Sequence, residues 1–141
     1  MLCGKSGYPY DFFLYQGSKT EISSFERARF GHGAATVLHL IKRISCTGHK
    51  LYFDNFFSTY QLFEILHDKK INAAGTIRIN RFNNPQFLSD SVLKKKGRGS
   101  SDQIVSRDGK IVLVKWQDNK AVHLASNLSD DLIKNQENIF L

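Results

Sequence analysis

Cysteine is scarce in this chain: Cys3 and Cys46 are the only two in 141 residues, and no metal-type spacing joins them. That speaks against a cysteine-built metal site and for free thiols in a reducing compartment, with a single disulfide left as the alternative. No apolar run approaches the roughly 20 residues that a bilayer-spanning helix needs, so no membrane partner is expected. The opening Met1-Leu2-Cys3-Gly4-Lys5 has neither the long apolar core nor the small-residue cleavage site of a signal peptide, so secretion is not expected either. Disorder is excluded by composition, since 41% of the residues are hydrophobic, 12% aromatic and 23% charged.

What the chain has is positive charge. Twenty Lys and Arg stand against 13 Asp and Glu, a net +7. An excess of this kind suits a polyanionic partner, because phosphate contacts release counterions and dominate non-specific affinity for nucleic acid. The length is that of one ordinary domain.

One stretch organises the rest: Leu51-Tyr52-Phe53-Asp54-Asn55-Phe56-Phe57, followed by Ser58. Its apolar run suits a strand buried on both faces of a helix-covered sheet. Asp54 and Asn55 would then fall at the carboxyl edge, where α/β folds gather their chemistry. Two readings of Asp54 stand side by side, a functional carboxylate and a residue that ties down a strand-to-helix turn. Ser58-Thr59-Tyr60-Gln61 reads as a capping box for a helix over about 59–69.

Before that stretch, Tyr8 to Tyr15 reads as an aromatic strand, with Leu2 and Cys3 as the stub of a partner across a turn at Lys5-Ser6-Gly7. Residues 18–29 read as a polar loop. Val37, Leu40, Ile41 and Ile44 share one face of a helix over about 34–45. His32 and His39 in this region lack a cysteine or carboxylate cluster and read as structural or solvated.

After the second helix, Ile71 to Arg78 is a small-residue strand. Asn83-Asn84-Pro85 is a loop, and Lys94 to Ser101 a basic, flexible run. Asp108-Gly109 between alternating segments is the strongest hairpin signal. Strands over Gln103–Arg107, Lys110–Trp116 and Ala121–Ala125 form a meander, with Trp116 facing the core. The order of elements predicts an α/β fold, a mixed sheet with helices on its faces for residues 1–82, followed by a β-rich insertion over 83–127 and a polar tail over 128–141 that holds a weak helix at 130–139.

Four motifs occur in order: Gly7-Tyr8 with Phe13-Leu14-Tyr15-Gln16-Gly17; Leu51 to Phe57; Gly75-Thr76-Ile77-Arg78 with Asn80-Arg81; and Lys115-Trp116-Gln117-Asp118-Asn119-Lys120 with Ser126-Asn127. Together they resemble the piggyBac transposase family, including its domesticated, transposable element-derived members. The resemblance implies an incomplete RNase H-like (DDE transposase) core in which three aspartates hold two Mg²⁺ ions for attack on a DNA phosphodiester. Asp54 matches the second aspartate and is the one catalytic and metal-binding candidate. Its two companions are not matched here. Asp11, Asp118, Asp130 and Asp131 do not replace them, and one carboxylate holds Mg²⁺ poorly. No strand transfer is therefore expected of this chain alone.

The implied partner is DNA, the transposon ends in particular, together with an oligomer containing full-length transposase, in the nucleus. Arg78, Arg81, Lys94, Lys95, Lys96 and Arg98 are the candidate DNA contacts, against the alternative that the lysine run is a solvated loop. The first functional expectation is an inactive transposase segment with residual affinity for DNA. The second is a non-catalytic module that binds nucleic acid or chromatin. A third is a segment with no biochemical role, left without a central strand.

Overall fold

The apolar stretch that ends at Asp54 folds as a strand at the rim of a sheet, not within it. The structure, a computed structural model, describes residues 1–45 and 48–128. Its chain divides into two units, Met1–Cys46 and Thr47–Leu141.

In the first unit, β1 (Leu2–Cys3) and β2 (Pro9–Asp11) pair antiparallel, Leu2 opposite Asp11 and Cys3 opposite Pro9. Gly7 turns the chain between them at φ 83°. The expected long aromatic strand is thus three residues, and Tyr8, Tyr10, Phe12 and Leu14 remain exposed. Residues 18–29 are not merely a loop. A 3-10 turn at Gly17–Lys19 precedes helix α1 (Ser24–Phe30), which begins where Ser23 Oγ accepts from Glu26 N–H at 3.4 Å. Helix α2 (His32–Ile41) buries Ala34, Ala35, Val37, Leu38, Leu40 and Ile41. His39 lies edge-on to Phe13, and His32 edge-on to Tyr15.

The second unit is built on a five-stranded mixed sheet in the order β3-β4-β7-β6-β5. Strand β3 (Lys50–Phe53) runs parallel to β4 (Asn72–Thr76), with helix α3 (Tyr60–Asp68) between them in sequence. Strands β5 (Ser101–Val105), β6 (Val112–Gln117) and β7 (Ala121–Ser126) are antiparallel to their neighbours. The Asp108-Gly109 hairpin signal is realised in the β5–β6 turn, Gly109 taking φ 73°. Because β7 pairs antiparallel with β4, the meander does not form a separate layer, and the sheet runs across the junction expected at residue 82.

Two further expectations are corrected. Tyr52 is 64% exposed, so β3 is an edge strand covered on one face, where Phe53 meets the Phe63 ring at 5.4 Å between centroids. Lys94–Lys96 belong to a helix, α4 (Asp90–Lys96), whose first turn is acidic and whose last turn carries the lysines, as the helix dipole favours. Leu93 buries its contact side completely. The register Phe53–Gly75–Ala125–Leu113 carries the α3 face across to β6. Lys115, two residues on from Leu113, meets α4 there. Both helices therefore cover the same face. The helix expected at 130–139 lies outside the described residues.

Candidate functional site

Strand β3 delivers Asp54 to the carboxyl end of the parallel β3–β4 pair, and the residues around it fix how it stands. Asp54 Oδ1 accepts the Phe56 N–H at 2.7 Å, a short-range turn that an Asp side chain makes readily. The Asp54 carbonyl accepts from Phe57 N–H at 3.2 Å. Ser58, fully buried, points its hydroxyl at Thr76 O (2.7 Å) and Asp54 O (3.1 Å), joining the end of β3 to the end of β4. That engagement takes Ser58 away from the capping role expected of it. Thr59 caps α3 instead, its Oγ1 accepting from Leu62 N–H at 3.2 Å.

Arg78 and Arg81 close the turn from the other side. Arg78 Nε donates to Asn55 Oδ1 at 3.1 Å, while Arg81 Nη1 donates to Asn55 O (3.1 Å) and Phe56 O (3.0 Å). Both arginines are exposed, and Arg81 uses the two N–H groups of a single Nη1 to bridge two successive carbonyls. Glycine at 75 permits the close β3–β4 approach: a Cβ there would stand 2.2 Å from Phe53 O.

The structure therefore brings Asp54, Arg78 and Arg81 together. It separates them from the lysine group, since α4 packs over β6, three strand spacings or roughly 14 Å from β3. Lys94, Lys95 and Lys96 are exposed along the end of α4. Arg98, just beyond, is exposed but engaged, its Nε 2.6 Å from Asp118 Oδ1. Trp116 is half-buried in β6.

A divalent ion asks for several oxygen ligands. Asp54 offers one carboxylate with one oxygen already in the turn, and two guanidinium groups bind beside it. Among the described residues no three His, Cys, Asp or Glu side chains converge. This donor set by itself does not fit a two-metal centre. Asp130 and Asp131 lie outside the described residues.

Sequence reasoning missed one group altogether. Lys115, on the covered face of β6, is 7% exposed, and its Nζ donates to Leu88 O at 2.8 Å and meets Asp90 Oδ1 at 2.6 Å. That hydrogen bond and the charge behind it hold the Asp90 carboxyl below the usual carboxylate range. Across the strand pair, burial first and the Lys115 charge second push His123 below its usual 6.5, with Asp90 pulling weakly the other way. The sequence signal was available in part: an acidic residue opening a short run that closes on lysines and Gly97 marks α4 as a helix.

The family profile described as Transposase IS4 matches residues 1–139. The human protein named piggyBac transposable element-derived protein 3 is 33% identical over 130 residues, 89% of this chain and 21% of that protein. Human piggyBac transposable element-derived protein 2 is 30% identical over 128 residues, again 89% of this chain and 22% of the relative. Among solved structures, a piggyBac transposase in a synaptic complex with hairpin DNA superposes with a TM-score of 0.58 at 25% identity, covering 84% of this chain and 23% of the other. The chain thus spans about a fifth of the length of the curated relatives it matches. By the profile match along nearly its whole length, and by these relatives, the chain belongs to the piggyBac transposase family.

Proposed function

We propose that this chain is a segment of an RNase H-like transposase core that presents one metal-binding carboxylate and a basic DNA-contacting surface, without transposase activity of its own. The observation that carries this reading is the position of Asp54. It follows the last residue of a strand in a parallel pair, on a turn clamped by Arg78 and Arg81. Carboxylates at that edge of an α/β sheet are where phosphate chemistry is assembled in such folds. Asp54 would supply one ligand to a Mg²⁺ site whose other carboxylates come from other parts of the transposase. DNA, the transposon ends in particular, is the partner, and the nucleus the place of action.

Lys94, Lys95, Lys96 and Arg98 would meet DNA phosphates from α4 and its following turn. The remaining guanidinium N–H groups of Arg78 and Arg81 would face the same partner from the Asp54 turn. A non-catalytic role in binding nucleic acid or chromatin is the second reading, favoured by a donor set that does not fit a metal pair.

Fluorescence anisotropy of labelled hairpin DNA, titrated with the chain at several salt concentrations, tests the binding. Replacing Lys94, Lys95 and Lys96 with Ala should reduce the slope of log K against log salt by up to about 2.7, three phosphate contacts' worth. Equal slopes would remove α4 from the interface. A nicking assay on the same hairpin with Mg²⁺ or Mn²⁺ should show no cleavage. Metal-dependent nicking abolished by Asp54→Ala would overturn the claim of inactivity.

A further inference from the structure

Strand alternation puts Lys115 on the face that carries Leu113, where an apolar side chain would ordinarily sit. The register places it between Asp102 on β5 and His123 on β7, so that Asp102, Lys115 and His123 form one row across the sheet. The segment before and into α4 lies over this row and is tied to each member. Leu88 N–H donates to Asp102 Oδ2 at 2.7 Å. Leu88 O and Asp90 Oδ1 take the Lys115 ammonium. The Phe87 ring rests against the His123 imidazole, 5.6 Å between centroids.

We propose that Lys115 is a latch that holds the segment Phe87–Asp90, and with it α4, on the sheet, and that protonation of His123 opens it. A buried ammonium is tolerable only while its charge is matched, because an unmatched one carries a large desolvation cost. The groups that face His123 are Lys115 from β6, Asp90 from α4 and, through Asp90, Lys94 from the same helix. Asp102 stands on the far side of Lys115. On the other side, Ile77, just past β4, donates its N–H to the His123 carbonyl and brings no charge.

With His123 neutral, the row holds a single cation, the Lys115 ammonium, taken by Leu88 O and Asp90, while Asp102 takes the Leu88 N–H. A proton on His123 adds a second positive charge directly across from the buried ammonium, in a half-buried site that disfavours it. Docking lays the Phe87 ring on His123, and this burial outweighs the opposing pull of Asp90, so the closed latch binds fewer protons than the open one and its stability falls as pH drops below the ordinary histidine value. Asp90, whose carboxyl is held low, adds a separate loss only below its usual 3.8. The two windows do not overlap.

The latch stands whether or not α4 touches DNA, since the readout is the docking of α4 itself. Amide hydrogen exchange on the full 141-residue chain, corrected for the intrinsic rate, reads it between pH 7.5 and 5. Protection at Leu88, at the α4 amide of Leu93 and at Gly97, which caps that helix, should fall below pH 6.5 by up to about tenfold per pH unit, the one-proton limit. Protection at Ala125 should hold. His123→Gln should flatten the fall. Lys115→Met should leave α4 unprotected at every pH. Constant protection in the native chain, the same fall in His123→Gln, or an α4 fully protected in Lys115→Met would each overturn the proposal. Should Lys115→Met fail to fold, the His123→Gln comparison still decides.

Discussion

Asn127 and Ala73 exchange two hydrogen bonds: Asn127 N–H donates to Ala73 O at 3.2 Å, and Asn127 Oδ1 accepts from Ala73 N–H at 2.7 Å. The amide Nδ2 donates to Ile71 O at 2.9 Å and reaches Phe63 O in α3 at 3.5 Å. Strand β7 ends at Ser126, yet the side chain of the next residue continues its ladder. It satisfies the Ala73 N–H of β4 and the Ile71 carbonyl just before that strand, which would otherwise be buried without partners.

Asn127→Ala should therefore cost more than the loss of an ordinary surface amide. It leaves the Ala73 N–H and the Ile71 carbonyl buried and unpaired, each worth about 1–3 kcal/mol. The expected loss is about 2–4 kcal/mol, read from the urea unfolding midpoint. Asn127→Asp should not rescue it, since a carboxylate cannot donate to Ile71 O and brings a charge into a site 5% exposed. A loss below about 1 kcal/mol for the alanine variant would mean that water replaces the amide.

Gly75 offers a second test of the β3–β4 junction. A Cβ at this position would stand 2.2 Å from Phe53 O, a backbone atom that cannot swing away. Gly75→Ala must push β3 outward or break the Phe53–Gly75 register, and overpacking of this kind typically costs about 1–3 kcal/mol. Amide exchange at Phe53 should rise along with the loss of stability. Unchanged exchange there would show that the strands separate easily.

Local elements were legible in the sequence where the pattern was self-contained. Apolar spacing in Val37, Leu40 and Ile41 marked α2, Leu62, Phe63 and Leu66 marked α3, and Asp108-Gly109 marked the β5–β6 hairpin. Helix α1 escaped because it has no apolar stripe: Phe25 and Phe30 stand five apart, with Glu26, Arg27 and Arg29 between them, and none of its residues is buried. Ser23 followed by Glu26 three residues on was nevertheless the signature of a helix start. Long-range relations were not legible. Tyr52 reads as core until the strand order puts β3 at an edge. Ser58 reads as a cap until Thr76, eighteen residues away, takes its hydroxyl. Burial of Lys115 depends on Asp90, which no window containing the strand includes. Asp54 was found by its motif, while the arginine clamp on its turn required the fold.

Asp108 makes the hairpin acid-sensitive. Ser106 Oγ donates to its Oδ1 at 2.6 Å and Lys110 N–H at 3.2 Å, and these bonds, the serine's first, hold its carboxyl below the usual 3.8. A carboxylate held low stabilises the fold above its unfolded value and loses that contribution as pH falls through the folded one. Exchange at Lys110 should therefore accelerate, beyond the intrinsic trend, below about pH 3.8, and Asp108→Ala should show the fast rate at neutral pH. A hairpin equally protected with alanine would assign its order to Gly109 and the strand pairing alone.

Arg81 and Asp54 can be separated by their effects on one turn. Arg81→Ala removes the donor shared by Asn55 O and Phe56 O, but the side chain is exposed, so global stability should change by less than about 1 kcal/mol. Exchange at Phe56 and Phe57, whose amides bond Asp54, should nevertheless rise several-fold. Arg81→Lys should recover part of the protection, because both bonds come from one nitrogen and an ammonium also carries donors enough for two carbonyls. Asp54→Asn keeps an oxygen for the Phe56 N–H and should leave the turn protected, whereas Asp54→Ala should open it. If Asp54→Asn opened the turn as far as Asp54→Ala, the negative charge itself would be holding the turn closed against Arg78 and Arg81, and could not be assigned to a metal alone.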